Sequence, residues 1–299
     1  LAGVKQTISQ GPKRYLVYGP SSMHRASGVY GIMGQVAQMD NTLVAGSEDV
    51  ELQVETTLKG TESYFNRIRV FRNRKDSTIL LPDSTTHYAL HLHGKWDIYG
   101  ISLETRKGII VDNIPMRGCS GYVFTQMNTD ELRHFFSTTN TRLVIMQFGG
   151  NVMPYTTSRR QVEQYRQSMT AQIAYLKRCA PQASFLFIGP SDMLTSINGE
   201  LQTYPTLPLM DATLRVMCAE QQIAYWSLFH AMGGKGSMTQ WQEKNFARSD
   251  GIHFSQKGAA HAGKLLTEWM LQGIQEFQDK IQQQSLVLPT NNEEDNVVF

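Results

Sequence analysis

Leu143-Val144-Ile145-Met146-Gln147-Phe148-Gly149-Gly150-Asn151 is the stretch that decides the fold class. A short apolar run closed by Gly-Gly-Asn reads as a buried strand ending in a turn. Downstream, Arg159–Arg178 places Val162, Tyr165, Met169, Ile173 and Leu176 at helical spacing on one face. The alternation then continues. Ser184–Ile188 reads as a strand, Asp211–Gln222 as a helix, Ile223–Leu228 as a strand and Lys257–Phe277 as a long helix. Gly108–Val111 reads as a strand upstream. Strands alternating with helices predict an α/β fold, a parallel sheet with helices on both sides.

Before about residue 104 the pattern differs. Tyr15–Tyr18, Val50–Leu58, Ile68–Phe71, Thr78–Leu81, Tyr88–Leu92 and Ile98–Leu103 are β-prone runs. Turn signals at Lys59-Gly60, Pro82-Asp83 and His93-Gly94 separate them. This predicts an antiparallel β-sandwich or jelly roll. The expected organisation is a β-sandwich module over 1–104, an α/β domain over 105–278, and a Gln-rich linker or disordered tail over 279–299.

Composition bounds the partners. The 299 residues are 41% hydrophobic and 18% charged, enough for a sizeable core. The net charge of +2 does not announce a nucleic-acid binder. No apolar run is long enough to span a membrane. Cys119, Cys179 and Cys218 cannot form a closed disulfide framework and lack the spacing of a zinc site. The chain begins with Leu1 rather than Met, so a processed or truncated chain is the expectation.

Three loops could carry chemistry. Asp250 and His253 are three apart in Ser249–Ser255, just before the last predicted helix. Asp at that spacing can hold one ring nitrogen of His and leave the other as a base. The alternative is an N-cap loop with an incidental His. Asn151 closes the Leu143–Phe148 strand, and ligands of parallel sheets bind beyond the carboxyl ends of strands. Its amide can face an oxyanion, or the segment is simply a turn. Gly118 lies in Asp112–Gly121, after another predicted strand, and can offer a backbone N–H or belong to a plain loop.

In order along the chain, these pieces resemble the SGNH (GDSL-type) hydrolase family. Gly118 matches the second block, Gly149-Gly150-Asn151 the third and Asp250-x-x-His253 the fifth. Ile188-Gly189-Pro190-Ser191-Asp192 is similar to the post-strand loop near the site in these enzymes. The resemblance covers about residues 105–275. It implies a three-layer αβα fold, with His253 as base, Asp250 as its orienting carboxylate, and Gly118 and Asn151 as oxyanion donors. The chain is similar to the subgroup of bacterial peptidoglycan and polysaccharide O-acetylesterases with an inserted carbohydrate-binding-like β-module.

The family's first block, Gly-Asp-Ser, occurs nowhere in the chain. Ser102 follows Gly100-Ile101 without the Asp and leads to a strand, not to the helix that backs a nucleophile. Ser21 and Ser22 precede a Gly-rich stretch, and Ser120 falls in the second block. With four strands counted against the family's five, the first strand is expected to be missing. Its nucleophilic serine is then expected upstream of Leu1.

His87, His91 and His93 share one face of a strand and could hold a metal. No carboxylate is evident near them in sequence, so they read as solvent-facing. Trp96, Tyr99, Tyr64 and Phe65 could stack on a sugar or be core and rim aromatics. The expected function is a serine esterase removing O-acetyl groups from a glycan, without metal or organic cofactor, in the periplasm or at the bacterial cell surface. Two alternatives stand beside it: acetyl transfer to a sugar hydroxyl, and a non-catalytic polysaccharide-binding protein.

Overall fold

The computed structural model describes residues 4–5, 15–18, 49–55, 67–72, 77–81, 87–93, 98–104, 111 and 118–287. The chain divides into two compact units, Leu1–Arg142 with Ala171–Ala183, and Leu143–Thr170 with Ser184–Phe299.

In the first unit the short β-prone runs form β1 (Val4–Lys5), β2 (Tyr15–Tyr18), β3 (Asp49–Glu55), β4 (Arg67–Arg72), β5 (Ser77–Leu80), β6 (His87–His93) and β7 (Ile98–Glu104). They pair as two sheets, β2-β7-β4-β5 and β1-β3-β6. All pairings are antiparallel except β1 with β3. Helix α1 (Thr129–Thr138) follows, a helix absent from the sequence reading. Asn128 caps it by accepting from Asp130 N–H, while Leu132, Phe135 and Phe136 are buried.

The second unit is built on a parallel sheet in the order β12-β9-β8. Its strands are β8 (Leu143–Gln147), β9 (Ser184–Ile188) and β12 (Ala224–Trp226). Phe185 to Ile188 are all buried, as expected of a central strand covered on both faces. Helix α2 (Arg159–Cys179) joins β8 to β9 and buries the predicted face, Val162 to Leu176. Helix α3 (Leu207–Glu220) precedes β12; α4 (Leu228–Met232), α5 (Ser237–Glu243) and α6 (Gln256–Val287) follow it. Leu186, Ile188 and Trp226 pack with Leu228, Met232, Met238 and Trp241 on one side of the sheet. On the other side Phe187 stacks on Tyr225, whose hydroxyl reaches Asp211 of α3. Helices therefore cover both faces, and the predicted α/β layering holds.

Other details go beyond the sequence reading. Between β9 and α3 lies a hairpin, β10 (Leu194–Ile197) with β11 (Glu200–Thr203), turning at Asn198 (φ 53°) and Gly199 (φ 86°). Paired positive φ values make this the hairpin turn that Asn-Gly favours. Helix α6 continues to Val287 instead of ending at Phe277. Its final segment is Gln-rich, with no glycine after Gly273 and no proline before Pro289, so helix propensity carries it on. Of the strand expected at 108–111, only Val111 is described, exposed and outside any strand. Among the described residues no helix is long and apolar enough to cross a membrane.

Candidate active site

The strand-closing glycines shape the carboxyl edge of the sheet. Gly149 has φ 107°, and a Cβ there would lie 3.3 Å from Pro190. That left-handed turn drops the chain into a 3₁₀ helix, Gly150–Tyr155, with Asn151 exposed in its first turn. Val152 and Met153 are buried and fix the turn.

Pro190–Leu194, after β9, is the seat for two loops. A Cβ on Gly150 would meet Met193 Sδ at 3.6 Å. On the other flank, Leu194 N–H donates to Gly251 O at 2.8 Å, and Gly251 (φ 67°) has no room for a Cβ against Leu194. The Asn151 loop and the Asp250–His253 loop thus pack on one segment at one sheet edge.

The Asp250 loop is a closed hydrogen-bonded turn. Asp250 Oδ1 accepts the backbone N–H groups of Ile252 (2.8 Å) and His253 (2.9 Å). Oδ2 lies 2.9 Å from His253 Nδ1. The backbone N–H of His253, its ring and the Ile252 N–H together hold the Asp250 carboxyl down to about 2, below its ordinary range. An ionised carboxylate only accepts, so Nδ1 of the neutral ring carries the proton and Nε2 the lone pair. Arg248 N–H donates to His253 O at 2.8 Å, and Ala247 bridges Phe254. Ser255 then caps α6, its Oγ accepting Gly258 N–H at 3.1 Å. The side chain of His253 is 71% exposed. Within its own unit, and among the described residues, its ring hydrogen-bonds only Asp250.

Gly118 belongs to the other compact unit and adopts φ 67°. Ser102 lies within β7, in register with Leu16 and Arg69, a strand position rather than a tight turn. Ser120 follows Gly118 in the same loop. Ser21, Ser22, Tyr64, Phe65 and Trp96 lie outside the described residues, and Tyr99 lies on β7. Asp192, in the loop after β9, is fully buried and structural. It accepts from Met238 N–H at 2.8 Å at the start of α5 and from Thr203 Oγ1 at 2.8 Å.

One cluster escaped the sequence reading. Asp211 on α3 is buried, and its Oδ1 accepts the hydroxyls of Tyr225 (2.7 Å) and Ser227 (2.6 Å). Its Oδ2 faces Arg215 Nη2 at 3.3 Å and His230 Nδ1 at 3.1 Å. Burial first, and then the Asp211 charge, push the Tyr225 phenol up. Ser227 sits between β12 and α4, where strand-turn-helix nucleophiles sit, with Asp and His at hand. The geometry is wrong for catalysis. Ser227 Oγ lies 2.8 Å from the same Nδ1 that Asp211 faces, whereas proton relay needs opposite ring nitrogens. Ser227 instead caps α4, accepting His230 N–H at 3.0 Å. The signal available in sequence was Ser227 after an apolar run with His230 three residues on.

No protein-family model matches the chain, and no curated relative matches it. Solved structures do. A peptidoglycan O-acetylesterase aligns over 86% of this chain and 90% of its own, at TM-score 0.58 and 19% identity. The periplasmic domain of a lipopolysaccharide acetyltransferase from Salmonella ser. Paratyphi A aligns at TM-score 0.35 and 11% identity, over 48% of this chain and 61% of its own. A family two carbohydrate esterase from Cellvibrio japonicus aligns at TM-score 0.24 and 11% identity, over 55% and 73%. With helices on both faces of a parallel sheet, the chain shares its fold with the peptidoglycan O-acetylesterase.

Proposed function

We propose that this protein is a serine esterase that removes O-acetyl groups from a carbohydrate outside the cytoplasm. The observation that carries the reading is the Asp250–His253 pair, held at 2.9 Å on a loop at the carboxyl edge of the sheet. The fold likeness to a peptidoglycan O-acetylesterase supports the substrate class.

In this reading, Nε2 of His253 takes the proton of a serine hydroxyl as its Oγ attacks the acetyl carbonyl carbon. The carbonyl π electrons move to oxygen, and the Asn151 amide holds that oxyanion. Collapse breaks the bond to the sugar oxygen, which receives the proton from His253. Water then attacks the acetyl-enzyme through the same base, releasing acetate and restoring the serine. Asp250 keeps the ring in the required tautomer and stabilises the imidazolium. The 71% exposure of the His253 side chain favours water over a sugar hydroxyl as acceptor, because transfer needs water kept out.

The test is acetate release from an O-acetylated glycan by the protein at its natural full length, with His253→Ala alongside. A serine-directed fluorophosphonate and peptide mapping locate the nucleophile. Activity and labelling that both survive His253→Ala would overturn the reading.

A further inference from the structure

Helix α6 changes character along its length. In its first half Leu265, Leu266 and Met270 pack against the core cluster that includes Trp226 and Trp241. From Leu271 to Gln283 every residue is exposed. A helical segment this short is marginal on propensity alone; burial of an apolar face is what ordinarily stabilises it.

The apolar residues of that segment are ordered. Met270, Ile274, Phe277 and Ile281 follow at steps of four, three and four, the repeat of a coiled-coil seam. Ile274 is 52%, Phe277 64% and Ile281 49% exposed, and Trp269 and Leu271 stand exposed on either side. The opposite face is polar and closed on itself: Gln272 donates to Glu276 at 2.9 Å and Gln275 to Asp279 at 2.8 Å.

Area and symmetry identify what covers the seam. Its exposed apolar side chains present about 500 Å² per chain, so two copies laid seam to seam bury about 1,000 Å², where specific interfaces begin. The seam also fits itself. In an antiparallel pair about a two-fold axis, Ile274 meets Phe277 of the other copy and Met270 meets Ile281. Each contact then occurs twice, as a closed dimer requires. Lys280 falls beside Gly273 of the other copy, so no like charges meet along the seam. A membrane surface fits less well, because the polar face carries Glu276 and Asp279 rather than the lysines and arginines that attract anionic lipid. Residues 288–299 also fit less well: their apolar members, Leu288 and Val297 to Phe299, flank a polar stretch and lack the repeat.

We propose that α6 pairs through this seam with α6 of a second copy of this chain. The pairing is independent of the esterase reading.

The experiment measures the mass of the full chain by sedimentation velocity across the micromolar range. The expected result is a dimer that dissociates on dilution. Ile274→Glu/Phe277→Glu sets carboxylates into the seam and weakens the dimer by at least about a hundredfold, with the helical circular dichroism retained. Phe277→Ala weakens it by at least about tenfold and covers the case of a double variant that fails to fold. Glu276→Gln, on the opposite face, leaves the dimer unchanged. A monomer at every concentration overturns the proposal, as does a dimer that persists in both seam variants. A monomer that dimerises only after removal of 288–299, or that instead sediments with phosphatidylglycerol vesicles, overturns it in favour of the tail or the membrane.

Discussion

Among its described residues the second unit holds two carboxylate–histidine pairs with nearly the same contact and opposite surroundings. His253 Nδ1 lies 2.9 Å from Asp250, and His230 Nδ1 lies 3.1 Å from Asp211. Asp250 is 44% exposed at its side chain, and its other partners are two N–H groups of its own loop. Asp211 is 0% exposed and holds Tyr225, Ser227 and Arg215 as well, tying α3 to β12 and to the start of α4. A pairing distance does not reveal a role. What else the carboxylate holds does: a self-contained loop can serve chemistry, whereas a carboxylate shared among three elements serves the fold.

The strongest way to break this contrast is to remove each imidazole. On the esterase reading, His253→Ala lowers kcat/KM for an acetylated glycan by about 10⁴-fold or more, because the base is lost. His230→Ala leaves kcat/KM near wild type. Equal losses from both would erase the distinction.

Next comes the orienting carboxylate. Asp250→Asn keeps an oxygen for the Ile252 and His253 N–H groups but presents an amide N–H to Nδ1, which selects the wrong tautomer. A fall of about 10⁴ in kcat with KM little changed is expected from steady-state kinetics. The pH dependence has a definite sign. The folded-state value of about 2 lies below the unfolded value near 3.9. The stabilising contribution of this loop is therefore fully present above the unfolded value and fades as pH falls towards about 2. An NMR titration following Asp250 checks this, and a midpoint at or above 3.9 would contradict the loop geometry.

Asp250 and His253 were legible in sequence because their interaction is local: three residues of spacing contain it. The buried face of α2, Val162 to Leu176, was legible for a similar reason, since helical period is a local property. The Asp211 cluster was not, because α3 must pack on β12 before its members meet. The β10–β11 hairpin did carry its signal, Asn198-Gly199, but its strands have four residues each and no apolar alternation to draw attention. Short α4 and α5 depend on capping by Ser227 and Asp192 rather than on a long amphipathic pattern.

Asp211→Ala sharpens the comparison from the side of stability. It strands the Tyr225 and Ser227 hydroxyls and leaves Arg215 without its carboxylate. Breaking a buried charged network in this way costs about 3–5 kcal/mol. Urea unfolding should show that loss as a lower midpoint at unchanged slope. Activity per folded molecule should stay near wild type, which separates this effect from that of Asp250→Asn.

The smallest effect belongs to Ser227, and it tests whether proximity of Ser, His and Asp is enough to make a nucleophile. Its hydroxyl hydrogen is committed to Asp211 at 2.6 Å, and its oxygen accepts the first-turn N–H of His230 at 3.0 Å. A serine so engaged has no hydrogen directed at a free imidazole lone pair, because the ring nitrogen beside it is the one facing Asp211. Ser227→Ala removes a helix cap and one of the hydroxyls on the carboxylate, so about 1 kcal/mol of stability should disappear in urea unfolding. Esterase turnover and fluorophosphonate labelling should persist in that variant. If labelling maps to Ser227 and vanishes in Ser227→Ala, the two pairs exchange roles, and Asp211–His230 becomes the catalytic one.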